Sequence, residues 1–345
     1  MNAEKTLIVS TDGQAVLRSH DNGATWHRLT INQELEYDDC VRCLLADPRN
    51  PGAVFAGTEK GLFYSTDCAT NWKRIDCAMN DYTVWKLAVH PAHPEIMYAG
   101  TGSPSLAIFF RSRDGGKSWE RTSLEMPPKC AGVSRPRMLA LAIDPDDPLH
   151  VWAGVEEGGL FRSRDGGDNW ERIDKGWEPS RGNSDLHDIV IFPGTPKTIL
   201  ALVVNAFYKS VDDGATWTRT DAKENWGLYY SRVLTRRPGS DTDLFLGIGD
   251  GTPGSTALFL RSSDRGETWE SAPLPVAPNS CFWAFGTNDA DPNFILAGTK
   301  FGHLYRSEDA GRTWHKEWRE FSEITDAVWI PAVPAQKESA HHGHS

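Results

Sequence analysis

The chain is 345 residues long, enough for one large domain or two ordinary ones. Its 36 Lys+Arg against 47 Asp+Glu give a formal net charge of -11, which argues against a nucleic-acid or anionic-membrane partner. No stretch approaches the length of a membrane span, and Leu7-Ile8-Val9, straight after Met1-Asn2-Ala3-Glu4-Lys5, is too short for a signal-peptide core. A reduced, cytoplasmic setting is expected, with the six cysteines acting mainly as small buried hydrophobes. Cys40 and Cys43 form a lone C-x-x-C with no second pair, so no zinc site is expected, nor any other metal or cofactor.

Taken from the N-terminus, the chain opens with three short strands, Thr6–Ser10, Ala15–Ser19 and Trp26–Leu29. The octet Ser19-His20-Asp21-Asn22-Gly23-Ala24-Thr25-Trp26 links the second to the third. The next stretch reads as four strands: Val41–Ala46, an Asp47-Pro48 turn, Val54–Gly57, Gly61–Ser65 and, after a degenerate octet, Trp72–Ile75. That octet is Ser65…Asp67…Ala69…Asn71-Trp72, with alanine where the others have glycine, which predicts a strained or reshaped turn. Five more copies end in Trp119, Trp170, Trp217, Trp269 and Trp314, so the tryptophans step by 46, 47, 51, 47, 52 and 45 residues from Trp26. In each octet the aspartate can accept backbone N–H bonds across the turn, glycine supplies a positive φ, and tryptophan packs on the hairpin.

Four strands per repeat, seven times over, predict an all-β seven-bladed propeller occupying residues 1–330. The first repeat lacks an innermost strand, and Ile324–Ile330 after the seventh octet is a spare one. That segment is expected to complete the first blade and close the ring, removing open sheet edges. Residues 331–345 read as a disordered Pro/Ala/His tail, with His341, His342 and His344 solvated.

The octets resemble the Asp-box, or BNR repeat, found in sialidases, xyloglucanases, sortilin-type receptors and a photosystem II assembly factor. The resemblance spans nearly the whole chain and implies the propeller. It does not carry a function with it, because Asp-boxes sit on outer hairpins away from the funnel. Sialidases resemble the chain in these boxes but have six blades, an Arg-Ile-Pro motif and an arginine triad with a tyrosine nucleophile. Here the nearest string is Ser134-Arg135-Pro136-Arg137, in the wrong repeat, so a sialidase is not expected. Xyloglucanases place catalytic carboxylates between two tandem propellers, and sortilin-type receptors have more blades plus membrane spans. The assembly factor matches in size and blade number but implies a leader and a basic patch that this chain does not show.

A site is expected at the mouth opposite the octets. His90-Pro91 and His93-Pro94 fall on the octet face and read as turn residues. Aligning the innermost strands on their closing turns brings Arg42, Trp85, Leu139, His187, Arg232, Trp283 and Thr325 to one level. Two residues earlier stand Cys40, Thr83, Arg137, Asp185, Tyr230, Cys281 and Glu323, and the positions between are largely apolar, as period two requires. The long loops Gly102–Ala107, Gly249–Ala257, Ser123–Arg135 and Asp174–Asp185 are all assigned to this mouth.

Two functions follow. The first is a scaffold or binding propeller whose funnel takes a small polar or anionic ligand or a partner's protein segment, through Arg42, Trp85, Arg137, Arg232, Trp283 and Glu156. The alternative is a lyase or glycosyl hydrolase-like enzyme on a carbohydrate-like or carboxylated small molecule. In it His187 and Tyr230 move protons beside Asp188, while Arg42, Arg137 and Arg232 hold an anion. Binding ranks slightly above catalysis, because no catalytic signature stands out. A mouth plugged by Trp85 or Trp177 would exclude chemistry. Oligomeric state is not legible.

Overall fold

Each repeat supplies four short runs of Val, Leu, Ile, Phe and Ala separated by Gly, Asp and Pro, too short for helices and punctuated for hairpins. In the computed structural model, which describes residues 4–130, 132–177 and 184–332, these runs form seven four-stranded antiparallel sheets. The second blade runs Val41–Ala46, Val54–Thr58, Gly61–Ser65 and Lys73–Arg74 from the axis outward, within a residue or two of expectation. The expected tail beyond residue 332, with its three histidines, lies outside the described residues.

Ile324–Pro331 pairs antiparallel with Lys5–Thr11, in register from Lys5↔Pro331 to Thr11↔Ile324, so the last strand completes the first blade. Each of the seven innermost strands packs against its neighbours on both sides, and the circle is complete. Apolar clusters fill all seven seams between blades. The 1–2 seam holds Ile8, Val16, Val54, Phe63 and Trp72, while the 5–6 seam holds Phe192, Leu200, Phe207, Leu234 and Leu246.

The innermost strands share one irregularity that sequence periodicity does not show. In every blade the pairing skips a single residue: Arg42, Trp85, Leu139, His187, Arg232, Trp283 or Thr325. Each is a β-bulge, an extra residue that bends the strand and turns its side chain out of the ladder. Across from the bulge, second strands carry Gly57, Gly100, Gly154, Gly247 and Gly298, where the next blade comes very close. A Cβ on Gly247 would lie 2.4 Å from Phe282 Cβ, and one on Gly100 would lie 2.6 Å from Met138 Cβ.

The octets form one repeated turn. Ser112 Oγ accepts from the Gly116 N–H at 2.8 Å, and the Asp114 carboxylate accepts from the Ser118 N–H at 2.9 Å and from its hydroxyl. The Trp119 indole N–H donates to the Gly116 carbonyl. In all seven turns two consecutive residues have positive φ. In blades two to seven the first of these donates its N–H to the inner turn of its own blade, as Gly115 does to Glu95, Gly166 to Leu149 and Ala310 to Asn293. These bonds place octets and inner turns on one face. His90 belongs there, its Nδ1 accepting from the N–H groups of Ala92 and His93. An unanticipated short helix, Ala222–Trp226, leads into the sixth blade, capped by the Asp221 carboxylate and ended by Gly227 at φ 73°.

The degenerate octet keeps this turn at the expense of strain: Cys68 and Ala69 sit at φ 57° and 61°. Ala69→Gly is therefore expected to stabilise the protein by about 1 kcal/mol. Gly311→Ala, at φ 79° with Phe245 Cε1 only 2.5 Å from the added Cβ, is expected to destabilise it by about 1–3 kcal/mol. Urea denaturation of the two variants checks both signs.

Hydrogen bonds from Thr25, Ser118, Asn169 and Thr216 hold the carboxyls of Asp21, Asp114, Asp165 and Asp212 down to about 2. A carboxyl with a lowered folded-state pKa stabilises above its unfolded value and loses that contribution as the pH falls through the folded one. The melting temperature is expected to drop between about pH 4 and pH 2, and the drop should shrink in a variant with all four changed to asparagine.

Candidate functional site

The bulges aim their side chains at the axis, and a cavity of about 1120 Å³ opens there, lined from all seven blades. All nine residues singled out from the sequence border it: His187, Tyr230, Asp188, Arg42, Trp85, Arg137, Arg232, Trp283 and Glu156. The bulge also corrects the simple alternation. The residue after it reaches the cavity as well, which brings in Cys43, Lys86 and Asp326. Asp12, Glu157 and Lys300 arrive from the hairpins between second and third strands or from their counterpart in the first blade. Ser103, Pro104, Gly251 and Thr252 of the long loops contribute to the rim. Residues 178–183 of the Asp174–Asp185 loop, with Pro179, lie outside the described residues.

The mouth is not plugged by tryptophan. Trp177 stacks on Tyr208 with ring centres 3.8 Å apart, in the seam between blades four and five. Trp85 lies along the wall, its indole N–H donating to the Ser103 carbonyl at 2.8 Å. The Arg42 and Arg137 guanidiniums each sit 4.9 Å from its ring centre.

The three arginines expected to clamp an anion differ. Arg42 pairs with Asp12 at 2.9 Å and with Glu59, and Arg137 grips both oxygens of Glu156. Their charge is already matched by carboxylates of the protein. Arg232 stacks 4.0 Å over Trp283 and, among the described residues, meets no carboxylate within ion-pairing distance. Lys300 shares that ring at 4.5 Å and pairs with Glu323.

His187 and Tyr230 stand side by side, ring centres 5.4 Å apart, without a hydrogen bond between them. The His187 Nδ1 meets the Ser231 carbonyl at 2.5 Å, which requires the proton on Nδ1. Its Nε2 faces Asp185 Oδ1 at 3.6 Å, beyond hydrogen-bond length. Burial, reinforced by the Arg232 cation, pushes the imidazole down to about 3, so the ring is neutral at ordinary pH. Burial raises the Tyr230 phenol, which therefore keeps its proton.

Asp185 has the opposite environment. Burial and then the Glu157 carboxylate push it above the ordinary aspartate value, and its Oδ1 has no hydrogen-bond partner. Glu157, held at φ 52°, accepts from the N–H groups of Gly132 and Val133. A non-glycine residue in that backbone region is a strain that functional sites often retain.

Asp188 and Asp326 work as clamps between blades. Asp188 accepts from the N–H groups of Ile189 at 3.0 Å and Leu234 at 3.1 Å, Asp326 from those of Ala327 at 2.8 Å and Leu44 at 2.9 Å. Burial raises the Asp326 carboxyl to about 6. Lys86 lies between them. Burial pulls its ammonium down, but the attraction of Asp188 and Asp326 outweighs that and leaves it above the usual lysine value. Among the described residues no cluster of three or more His, Cys, Asp or Glu is arranged to hold a metal.

No protein-family model matches the chain. Xyloglucanase Xgh74A of Acetivibrio thermocellus is 27% identical over 325 residues, covering 78% of this chain and 38% of its own length. The xyloglucanase of Hypocrea jecorina is 25% identical, covering 83% of this chain and 39% of itself. The chain thus spans well under half the length of the curated relatives it matches. Among solved structures, the GH74 enzyme of Niastella koreensis superposes with a TM-score of 0.65 at 19% identity, over 81% of this chain and 45% of its own. YCF48 from Cyanidioschyzon merolae superposes at 0.55 and 17% identity, over 86% and 88%. At those identities both likenesses establish the propeller fold. The xyloglucanase relatives overturn the ranking drawn from the sequence: they favour the glycosyl hydrolase alternative over a propeller that only binds.

Asp188→Ala leaves two buried backbone N–H groups without acceptors and is expected to destabilise the protein by about 2 kcal/mol. Chemical denaturation measures it, and Asp188→Asn, which keeps one acceptor, should lose less.

Proposed function

We propose that the chain is a glycosyl hydrolase-like propeller, acting on a carbohydrate at the mouth of its funnel. The observation that carries this reading is the likeness to xyloglucanases over more than three quarters of the chain. The seven octets are read as Asp-box repeats, the scaffold such enzymes share with non-enzymatic propellers. The funnel supplies the two carboxyl groups that glycoside hydrolysis requires, in unlike environments. Asp185, raised by burial and by its neighbour, is the proton donor to the leaving glycosidic oxygen. Glu157, fixed by two backbone N–H groups, takes the proton from the water that attacks the anomeric carbon.

In this scheme the His187/Tyr230 pair changes role. With its proton held on Nδ1 by Ser231, the neutral imidazole cannot donate from Nε2, so His187 moves no proton and stands as a fixed wall beside Asp185. Tyr230 offers a phenol O–H toward the substrate. Asp188, with both oxygens spent on backbone, takes no part. Tyr229, half-exposed at the rim, provides an aromatic face for a sugar ring.

The test is release of reducing ends from xyloglucan and a panel of β-glucan oligosaccharides by the purified chain. Asp185→Asn is expected to lower kcat/KM by about 10²–10⁴-fold with little change in melting temperature. In the unmodified protein kcat/KM should fall as pH rises through the Asp185 pKa, since the donor must be protonated. No cleavage of any glycan, or full activity in the variant, would discard the reading.

A further inference from the structure

Two tryptophans at bulge level carry arginines, Trp85 two of them and Trp283 one, and the arrangement at Trp283 is incomplete. Arg42 and Arg137 flank Trp85, and each is ion-paired with carboxylates of this chain: Arg42 with Asp12 and Glu59, Arg137 with Glu156. Arg232 lies 4.0 Å over Trp283, closer than either, yet no described residue gives it a carboxylate. Arg232 is held against the indole and lines the cavity, and a guanidinium so placed can receive a carboxylate in two parallel bonds.

The charges around it sharpen the point. The groups facing Arg232 are Asp185, His187, Tyr230, Cys281, Lys86 and Lys300. His187 is neutral, Tyr230 and Cys281 are raised and keep their protons, Lys300 is spent on Glu323 and Lys86 faces Asp188 and Asp326. Asp185 alone carries acid near Arg232, and its raised pKa keeps it protonated longer than an ordinary aspartate. A cation with no carboxylate in ion-pairing contact, on the wall of a recessed cavity, attracts an anion more strongly than the same group on the open surface.

Resting on the hydrolase reading above, we propose that the substrate is an acidic glycan: the funnel binds a uronic acid residue whose carboxylate sits on the Arg232 edge while its ring packs toward Trp283. The carboxylate that Arg42 and Arg137 find within the protein is, at Arg232, brought by the ligand. Arg232 is then a specificity-determining residue, and a neutral sugar in the same place would leave its donors unmatched.

The experiment uses matched sugars that differ only in the carboxyl: glucuronate against glucose, and cellobiouronic acid against cellobiose. Binding is followed by tryptophan fluorescence and calorimetry on the full chain carrying Asp185→Asn, which blocks turnover. The acidic member of each pair should bind at least tenfold more tightly. In the Asp185→Asn/Arg232→Met double variant the ratio should fall to about one, with Arg232→Lys in between, and circular dichroism reports whether each stays folded. Equal binding of acidic and neutral sugars, or a preference that survives Arg232→Met in a folded protein, overturns the proposal. Cleavage of neutral xyloglucan with no acidic preference would remove this inference and leave the hydrolase reading standing. Uronate binding through Arg232 without cleavage of any glycan would do the reverse.

Discussion

One extra residue per blade is the constraint on which the funnel depends. A regular strand alternates its side chains between two faces, and in a propeller both faces of a blade are buried against neighbours. Without interruption, the innermost strand would have nothing left to show the axis. The seven bulges solve this by turning Arg42, Trp85, His187, Arg232 and Trp283 out of the seams without disturbing the apolar residues on either side. The glycines across from five of them let the next blade approach at that level, so the bulge and the second-strand glycine are two halves of one device.

Placed this way, charged side chains share a small space, and their environments separate them into different jobs. Asp188 and Asp326 are consumed by backbone N–H groups and tie blade to blade. Glu156 is consumed by Arg137. Asp185 is left without a full set of partners, and burial then decides its protonation. Ionisable groups around the funnel thus divide into those committed to the scaffold and those left with open hydrogen-bonding capacity, according to which hydrogen bonds the local turn provides.

The fold was legible because seven octets with serine, aspartate and tryptophan at fixed offsets leave few alternatives, and the spare strand at the end accounts for the deficit at the start. The bulge positions were legible for a related reason: counting back from a shared turn finds equivalent residues even when the local geometry is unknown. What lay beneath that resolution was the bulge itself, since a one-residue slip in pairing leaves no mark on composition. Lys86 and Asp326, each one residue past a bulge, therefore did not stand out as cavity residues. The partners of Arg42 and Arg137 come from hairpins of unequal length, which alignment on the inner turn does not order. The preference for binding over catalysis arose because carboxyls from different blades, such as Asp185 and Glu157, form no contiguous motif.

Closure by the final strand bears on how the molecule comes to be folded. Ser10 is bonded to a partner 316 residues later in the chain, about as non-local as a contact in this protein can be. During synthesis the opening three strands emerge with one bare ladder, and it stays bare until the other six blades of the ring have left the ribosome. Six blades can assemble in order, each on the one before, while the first waits as an unfinished template. Such an arrangement makes the last step of folding a docking event at a preformed gap, and makes the unfinished edge the place where a competing strand from another copy would do most harm.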